Sequence, residues 1–358
     1  MLIEKELMNK SLCAIFLICT LALPITNTQA TSEVSTSDIT ISFSGDILTH
    51  QSLYKTALHN KVYNFDKFFV KIKPYLNSDI DICHLETPLV EGNPAGYPSF
   101  RTPKELAPAL KNAGFEGCSL ASNHSLDAGK SGVRQSIEYL AKQGLKHAGT
   151  SFNNNEFADI AFYAVKNYQI AHLSYTWSTN GVKPSEKFLV NYPINSTKIF
   201  SDVAQLKQSG VDLVLLSLHF GNEYSVEISS YQKNLVDKLT KNKNIDAIIG
   251  HHAHVMQKAL LVNNTPVAFG LGNLWSGQGP WSNNPRTQWG GILYLSFSTT
   301  EKIPSLTKVR FLPTTVIPGT WVITPSKSVV GKWSSQAKIS IKESSKLMSP
   351  LSENFELL

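Results

Sequence analysis

An apolar run that ends at once in three histidines constrains this chain more than any other stretch. Residues 248–255 read Ile-Ile-Gly-His-His-Ala-His-Val. A buried strand whose C-terminal edge opens into a site ends in this way. Imidazole is the commonest neutral metal ligand. In extended chain, the two-residue spacing of His252 and His254 puts both rings on one side. The competing reading is a polar loop that is merely rich in histidine. The metal reading gains weight only if other ligand types end other strands.

Composition bounds the rest. The chain has 358 residues, 42% of them hydrophobic, which is ample for a large core. A charged fraction of 17% argues against disorder. The net charge of +6 is spread along the sequence, so no nucleic-acid patch is read from it. Arg is scarce: Arg101, Arg134, Arg286 and Arg310 stand among 33 basic residues. That scarcity makes each one a candidate for fixed anion recognition, which Arg serves better than Lys.

Residues 1–30 read as a secretory signal peptide. Lys5 and Lys10 precede an apolar run from Leu12 to Ile25, and Thr28-Gln29-Ala30 offers small residues for cleavage. The protein is therefore expected to be exported to the periplasm or cell envelope, or anchored in the membrane if the segment stays uncleaved. Cys13 and Cys19 leave with the signal. Cys83 and Cys118 are too few for a disulfide scaffold, and each falls on a strand, so two buried thiols are expected rather than a bridge.

From Ser37 onward, short apolar strands alternate with amphipathic helices. Strands are expected at Ile39 to Ser44, Ile80 to Leu85 and Phe115 to Ala121, with one more at Leu145. Between them lie helices carrying Phe65, Phe68, Phe69, Ile72 and Leu76, then Pro103 to Asn112, then Lys130 to Lys142. This βαβαβαβ order implies parallel strands. Further on, Ala161 to Val165 and Gln169 to Ser174 form an antiparallel pair turned at Asn167. Val211 to Leu218 is the most hydrophobic strand, and Ile245 leads the last one into the histidines. Residues 37–302 are thus expected to form one domain of two packed sheets between helices, with a β-rich extension and tail over 303–358.

The ligand types can now be placed. Asp46, Glu86, Asn123, His219, His252 and His254 each stand at the C-terminal end of a strand, where open α/β sheets bind ligands. Histidines among the ligands favour Mn, Fe or Zn over Mg or Ca. Six groups with one carboxylate able to bridge exceed the needs of one tetrahedral ion, so two divalent metal ions are expected. Taken singly, Asp46 can be a turn-former, Asn123 a helix cap and His219 a satisfied polar strand end. Together they are six coincidences at one edge.

These residues carry a family resemblance. Gly45-Asp46 with His50, His84-Leu85-Glu86, the run Ala121 to Gly129, His219 to Tyr224, Gly250-His251-His252-Ala253-His254 and Gly270-Leu271-Gly272-Asn273 together resemble the CapA capsule-synthesis family. That family is tied to poly-γ-glutamate capsule formation and is similar in fold to calcineurin-like metallophosphoesterases. The resemblance implies an α/β fold, a four-layer αββα sandwich of two mixed sheets flanked by helices. It also implies a binuclear site. Asp46 and Glu86 would be carboxylate ligands, Glu86 bridging, while Asn123, His219, His252 and His254 complete the shells. His124 would stand over the substrate as proton donor, and His50 is a further candidate ligand. The sequence departs from the family at His84, where Asn is usual, at Ala253 for Pro and at Gly270 for Ser. None of these removes a ligand.

The chemistry expected is metal-assisted hydrolysis of a phosphoester or an amide, with Asp127 orienting His124 or else capping the helix that follows. Residues 275–289 show no strand or helix pattern and hold three of the six Trp. Such a loop is usually functional. Trp275, Asn273, Arg286 and Arg101 are therefore candidates to bind an anionic envelope polymer or phosphoester substrate, the alternative being a loop packed by its own rings. A second reading of the whole chain is a non-catalytic subunit of a membrane-bound capsule-synthesis complex.

Overall fold

The strand Leu213–His219 shows how the sequence dictates the layering. All of it is buried, and its side chains alternate between two cores. Leu213 and Leu215 join one apolar cluster, while Val214, Leu216 and Leu218 join another. A strand apolar on both faces needs a layer on each side. The computed structural model, which describes residues 38–155, 157–300 and 304–358, supplies both layers. The expected signal peptide lies outside these residues.

Two large sheets form among the described residues. The first runs in the order Ile323–Pro325, Ser305–Val316, Trp289–Ser298, Ile39–Leu48, Ile80–Leu85, Gly117–Ser119, Lys146–Ala148. Its last four strands are parallel, as the alternating pattern requires, and Trp289–Ser298 joins them antiparallel. The second runs Ala259–Val262, Thr265–Ala268, Ala247–His251, Leu213–His219, Tyr168–Thr176, Ala161–Val165, again mixed. Ile39, Ile41, Phe43, Leu293 and Leu295 of the first sheet meet Ile170, Leu213, Leu215 and Ile249 of the second in one core. The helices Leu106–Ala113 and Gly129–Lys142 cover the outer face of the first sheet. Ser196–Gln208 and Ser230–Thr240 cover that of the second. This is the four-layer αββα sandwich.

A bulge in the first strand sets up the site. Phe43 pairs with Ile82, but the next pair is Asp46 with His84, so one extra residue sits on the Ile39–Leu48 side. The alternation shifts there: Ile47 and Leu85 pack into the outer core, leaving Asp46 level with His84. Gly45 occupies the bulge because a Cβ would lie 2.2 Å from the Gly272 carbonyl oxygen. Gly250 does not break its strand, which runs on to His251. It is there because a Cβ would come within 2.0 Å of the Phe269 carbonyl oxygen.

Several expectations are corrected. The aromatic stretch from Phe65 yields only a short helix, Asp66–Phe69, and a 3-10 turn, Lys73–Tyr75, since Pro74 lacks the donor a longer helix needs. All five of its apolar residues are still buried. Pro103 pairs in a short strand, and the helix begins at Leu106. Past residue 303, the chain adds the strand Ser305–Val316 to the first sheet and then a 15-residue helix, Ser334–Met348, so it is not simply β-rich. Cys83 and Cys118 are in register on neighbouring strands, their Cα atoms 4.4 Å apart, and form a disulfide instead of two thiols.

Trp275 is corrected most. It is fully buried, ringed by Phe65, Phe68 and Phe69, and its indole donates to the Trp321 carbonyl at 2.9 Å. Its segment is ordered by the strand Asn273–Ser276 and the short helices Gly279–Ser282 and Pro285–Gln288. Trp275→Ala should therefore lower the unfolding free energy by about 3–5 kcal/mol. A chemical-denaturation series checks this. A wild-type midpoint in that variant would return Trp275 to the ligand-facing surface.

Candidate metal centre

Both sheets end on one polar cluster. From the first come Asp46, His84 and Glu86, together with Asn123 on the loop after Gly117–Ser119. From the second come His219, His251, His252 and His254. All eight are buried. His252 and His254 do not alternate along a strand as their spacing suggested. They lie past its end with φ of +89° and +55°, left-handed values that β-carbon residues rarely adopt. The turn that tightens there brings the His252 ring to 4.6 Å from the His219 ring and His254 Nε2 to 3.7 Å from Glu86 Oε1. Such strain in a buried polar turn points to function.

Three overlapping sets of ligand atoms are close enough to share a cation: Asp46, Glu86 and His254; His84, Glu86 and His219; and Asp46, His84 and His251. Glu86 is the hinge of the first two. Its carboxylate is wholly buried, and neither oxygen has a hydrogen-bond partner among the described residues. Burial, reinforced by the Asp46 charge, pushes its pKa well above the usual carboxylate range. An isolated buried carboxylate is among the costliest groups a protein can hold. His252 Nδ1 is likewise buried without a partner, and burial pulls this imidazole down to about 3, so it is neutral. His219 Nε2 faces Asn123 Oδ1 at 2.8 Å. Two unpartnered carboxylate oxygens and a neutral ring nitrogen fit divalent cations of the Mn, Fe or Zn type.

The remaining polar atoms hold the ligands in place. Burial works against the Asp46 charge, but hydrogen bonds from His251 (3.0 Å) and His254 more than offset it, and the carboxyl stays ionised. Asp46 also accepts the His252 backbone N–H at 3.1 Å. His254 Nδ1 lies 3.1 Å from Asn273 Oδ1, while the Asn273 amide donates at 2.8 Å to both Gln278 Oε1 and the Thr287 carbonyl. Asn273, expected to bind substrate, is thus fully buried and anchors His254. His50 packs edge-on to Phe100, with Nδ1 3.1 Å from the Leu48 carbonyl; burial lowers it to about 4. Among the described residues it joins none of the three ligand sets.

His124 stands beside the cluster with a different partner. Its Nδ1 is 2.8 Å from Asp127 Oδ2, which also accepts the Phe100 backbone N–H at 2.7 Å. Asp127 does not cap the helix Gly129–Lys142, whose N-cap position, Ala128, has no side-chain bond. Asn180 lies between His124 and the ligands: its Oδ1 accepts from Asn123 Nδ2 at 3.2 Å, and its Nδ2 is 3.4 Å from His124 Nδ1.

The expected polymer-binding residues part company. Arg286 is exposed but committed, bidentate to Glu343 at 3.0 and 2.7 Å. Arg101 is exposed, its Nε donating at 3.3 Å to the Asn93 carbonyl. The exposed aromatics near the cluster are Trp177, 5.9 Å from the His252 ring, and Tyr224, 6.0 Å from that of His254. Trp177 directly follows the strand Tyr168–Thr176, so the positional rule that found His219 also reaches it. His84, which stands two residues before Glu86 where the family usually has Asn, was expected to join or crowd the site, and His251 belongs to the histidine run, but neither was among the expected ligands; nothing in the local sequence sets Asn180 apart.

Residues 40–278 match the family described as bacterial capsule synthesis protein PGA_cap. The capsule biosynthesis protein CapA of Bacillus anthracis is 27% identical over 252 residues, which cover 67% of this chain and 60% of that protein. The PGA biosynthesis protein CapA of Bacillus subtilis (strain 168) is 25% identical over 247 residues, 67% of this chain and 64% of that protein. The chain therefore spans less than two thirds of the length of the curated relatives it matches. Among solved structures, the calcineurin-like phosphoesterase YfkN of Bacillus subtilis superposes with a TM-score of 0.50 at 13% identity, covering 87% of this chain and 97% of that one. That likeness shows the fold to be metallophosphoesterase-like. No helix among the described residues is long and apolar enough to cross a membrane.

The electrostatics predict a pH dependence. Burial lowers the His254 pKa, but Glu86 and Asp46 together outweigh it and hold the imidazole at about 9. Below pH 9 the metal-free site therefore keeps a proton on His254 that a bound cation must displace. Apparent affinity for Zn²⁺ should rise with pH up to about 9, by roughly tenfold per unit for the His254 proton and more steeply where Glu86 also holds one. Calorimetric titration at pH 7 in buffers of different ionisation heat measures that release. Binding with no proton released at pH 7 would refute this account of His254.

Proposed function

The chain belongs to the bacterial capsule synthesis protein family, and from that premise we propose that it is an exported, binuclear metal-dependent hydrolase acting on a phosphoester or amide bond of an anionic envelope polymer. The observation that carries this reading is Glu86, a buried carboxylate with both oxygens unpartnered where two ligand sets meet. Asp46, Glu86 and His254 would hold one ion, and Glu86, Asn123, His219 and His252 the other. When bound, two such ions would lower the pKa of a water and polarise the scissile group.

The chain's own residues supply the rest. Asp127, fixed by the Phe100 N–H, accepts from His124 Nδ1 and so sets the ring's orientation and tautomer. With Nδ1 engaged, Nε2 is the nitrogen through which a protonated His124 passes a proton to the leaving group. A buried His–Asp pair beside a ligand-bearing loop is the arrangement an oriented proton donor needs. The pair therefore favours the hydrolase over the non-catalytic assembly subunit. Arg101, Trp177 and Tyr224 offer a cation and two aromatic faces to an extended anionic substrate.

His124→Ala should keep its metals and its fold while turnover falls about 10²–10⁴-fold, the usual worth of a positioned proton donor. A substrate with an acidic leaving group, such as a nitrophenyl phosphodiester, should lose much less. Metal analysis and steady-state kinetics on both substrates test this together. Full turnover on the unactivated substrate with metals retained would rule out the assignment of His124.

A further inference from the structure

His84 is two residues before Glu86 and fully buried, yet the reading above gives it no task. Both of its ring nitrogens are engaged. Nδ1 is 2.8 Å from Ser119 Oγ, and Nε2 is 3.0 Å from His219 Nδ1. The Ser119 hydroxyl also lies 3.4 Å from the Cys83 carbonyl. At the far end, His219 Nε2 is 2.8 Å from Asn123 Oδ1. One face of the His84 ring stacks on His251 at 3.9 Å. With Nδ1 on Ser119 and Nε2 on His219, His84 is placed to support His219, although it lies in two of the ligand sets.

The line Cys83 carbonyl, Ser119, His84, His219, Asn123 begins and ends on groups that only accept. The contact between His84 Nε2 and His219 Nδ1 needs one of the two to accept, and an imidazole with a single proton offers one N–H and one lone pair. Two self-consistent proton arrangements follow. In one, His219 Nε2–H donates to Asn123, His84 Nε2–H donates to His219 Nδ1, and the Ser119 hydroxyl donates to His84 Nδ1. In the other, His219 Nδ1–H donates to His84 Nε2, His84 Nδ1–H donates to Ser119 Oγ, and the Ser119 hydroxyl donates to the Cys83 carbonyl. Only the second leaves a lone pair on His219 Nε2, beside Asn123 Oδ1 and 3.8 Å from Glu86 Oε1.

We infer that Ser119 and His84 form a two-state hydrogen-bond relay that reverses when the site takes up a cation, turning His219 to its ligating tautomer. The rings keep one proton each in both states, so the reversal changes no net charge. His84 is a positioning residue acting through His219. Partners of this kind commonly contribute 10–100-fold to metal affinity. The inference rests on the metal-binding reading, and its test separates the two.

Nitrogen-15 NMR of the histidine-labelled full chain should show His84 as the Nε2–H tautomer in metal-free protein and as Nδ1–H after Zn²⁺ loading. Direct Zn²⁺ ligation would give His84 a bound-nitrogen shift instead. His84→Leu removes the acceptor, so Zn²⁺ affinity should fall about 10–100-fold with the number of ions unchanged. His84→Gln, whose amide both donates and accepts, should recover most of that loss. Should His84→Leu not fold, Ser119→Ala shortens the relay from its other end and should weaken Zn²⁺ binding in the same direction. The relay is overturned by one His84 tautomer in both states, by a His84 zinc ligand, or by Leu and Gln variants that bind alike. Wild-type protein that takes up no Zn²⁺ would sink the metal reading, and an Nδ1–H tautomer for His84 in the metal-free protein would then overturn the relay as well.

Discussion

The Glu86 carboxylate sets the terms for everything around it. It is buried where the two sheets meet, and neither oxygen is hydrogen-bonded to any described residue. Folding takes this group out of water and gives it no protein donor, an arrangement that only a bound proton or a cation makes tolerable. The neighbourhood is built for the cation. Asp46 is held ionised by His251 and His254, while burial keeps His84, His219 and His252 neutral and so fit to ligate or to support a ligand. The proton on His254 offsets that negative charge in the metal-free protein, which ties metal uptake to proton release.

The fold delivers these groups by ordinary means. A one-residue bulge makes Asp46, rather than Gly45, level with His84, and the register of the second sheet places His219 beside His251. Left-handed backbone at His252 and His254 then turns the chain back over the cluster. Gly45 and Gly250 let neighbouring backbones approach closer than any side chain would allow. Half of the cluster comes from each sheet, so the apolar core between the sheets also fixes the distances within the site.

Much of this was legible in the sequence. Buried parallel strands announce themselves as apolar runs, and residues at their C-terminal ends point to a site, which located Asp46, Glu86, His219 and the histidine turn. His124 was legible through family resemblance and Asp127 through its place three residues on, where a helix cap was the alternative; the two are found hydrogen-bonded to each other. What stayed hidden depended on pairings that no local pattern encodes. Cys83 and Cys118 look like two separate strand residues until strand register sets them side by side. Trp275 and Arg286 sit in a stretch without periodicity and so resembled a binding loop. A ring of Phe residues claims the first, and Glu343, 57 residues further on, claims the second.

The supporting residues were the hardest to read, for a physical reason. A ligand must end a strand near a cleft, which leaves a positional trace. A residue that orients a ligand needs only to meet it in space, and any polar side chain of the right length serves. Asn273 reaches His254 from 19 residues away, and His84 reaches His219 across 135. Each of these imidazoles has its Nδ1 beside the supporting atom, which leaves Nε2 facing Glu86. One support is a rigidly held amide that can only accept through its oxygen. The other is an imidazole with a serine behind it, able to accept or donate. The two halves of the site therefore differ in how firmly their ligating tautomer is fixed, and the difference lies in residues that never touch the ion.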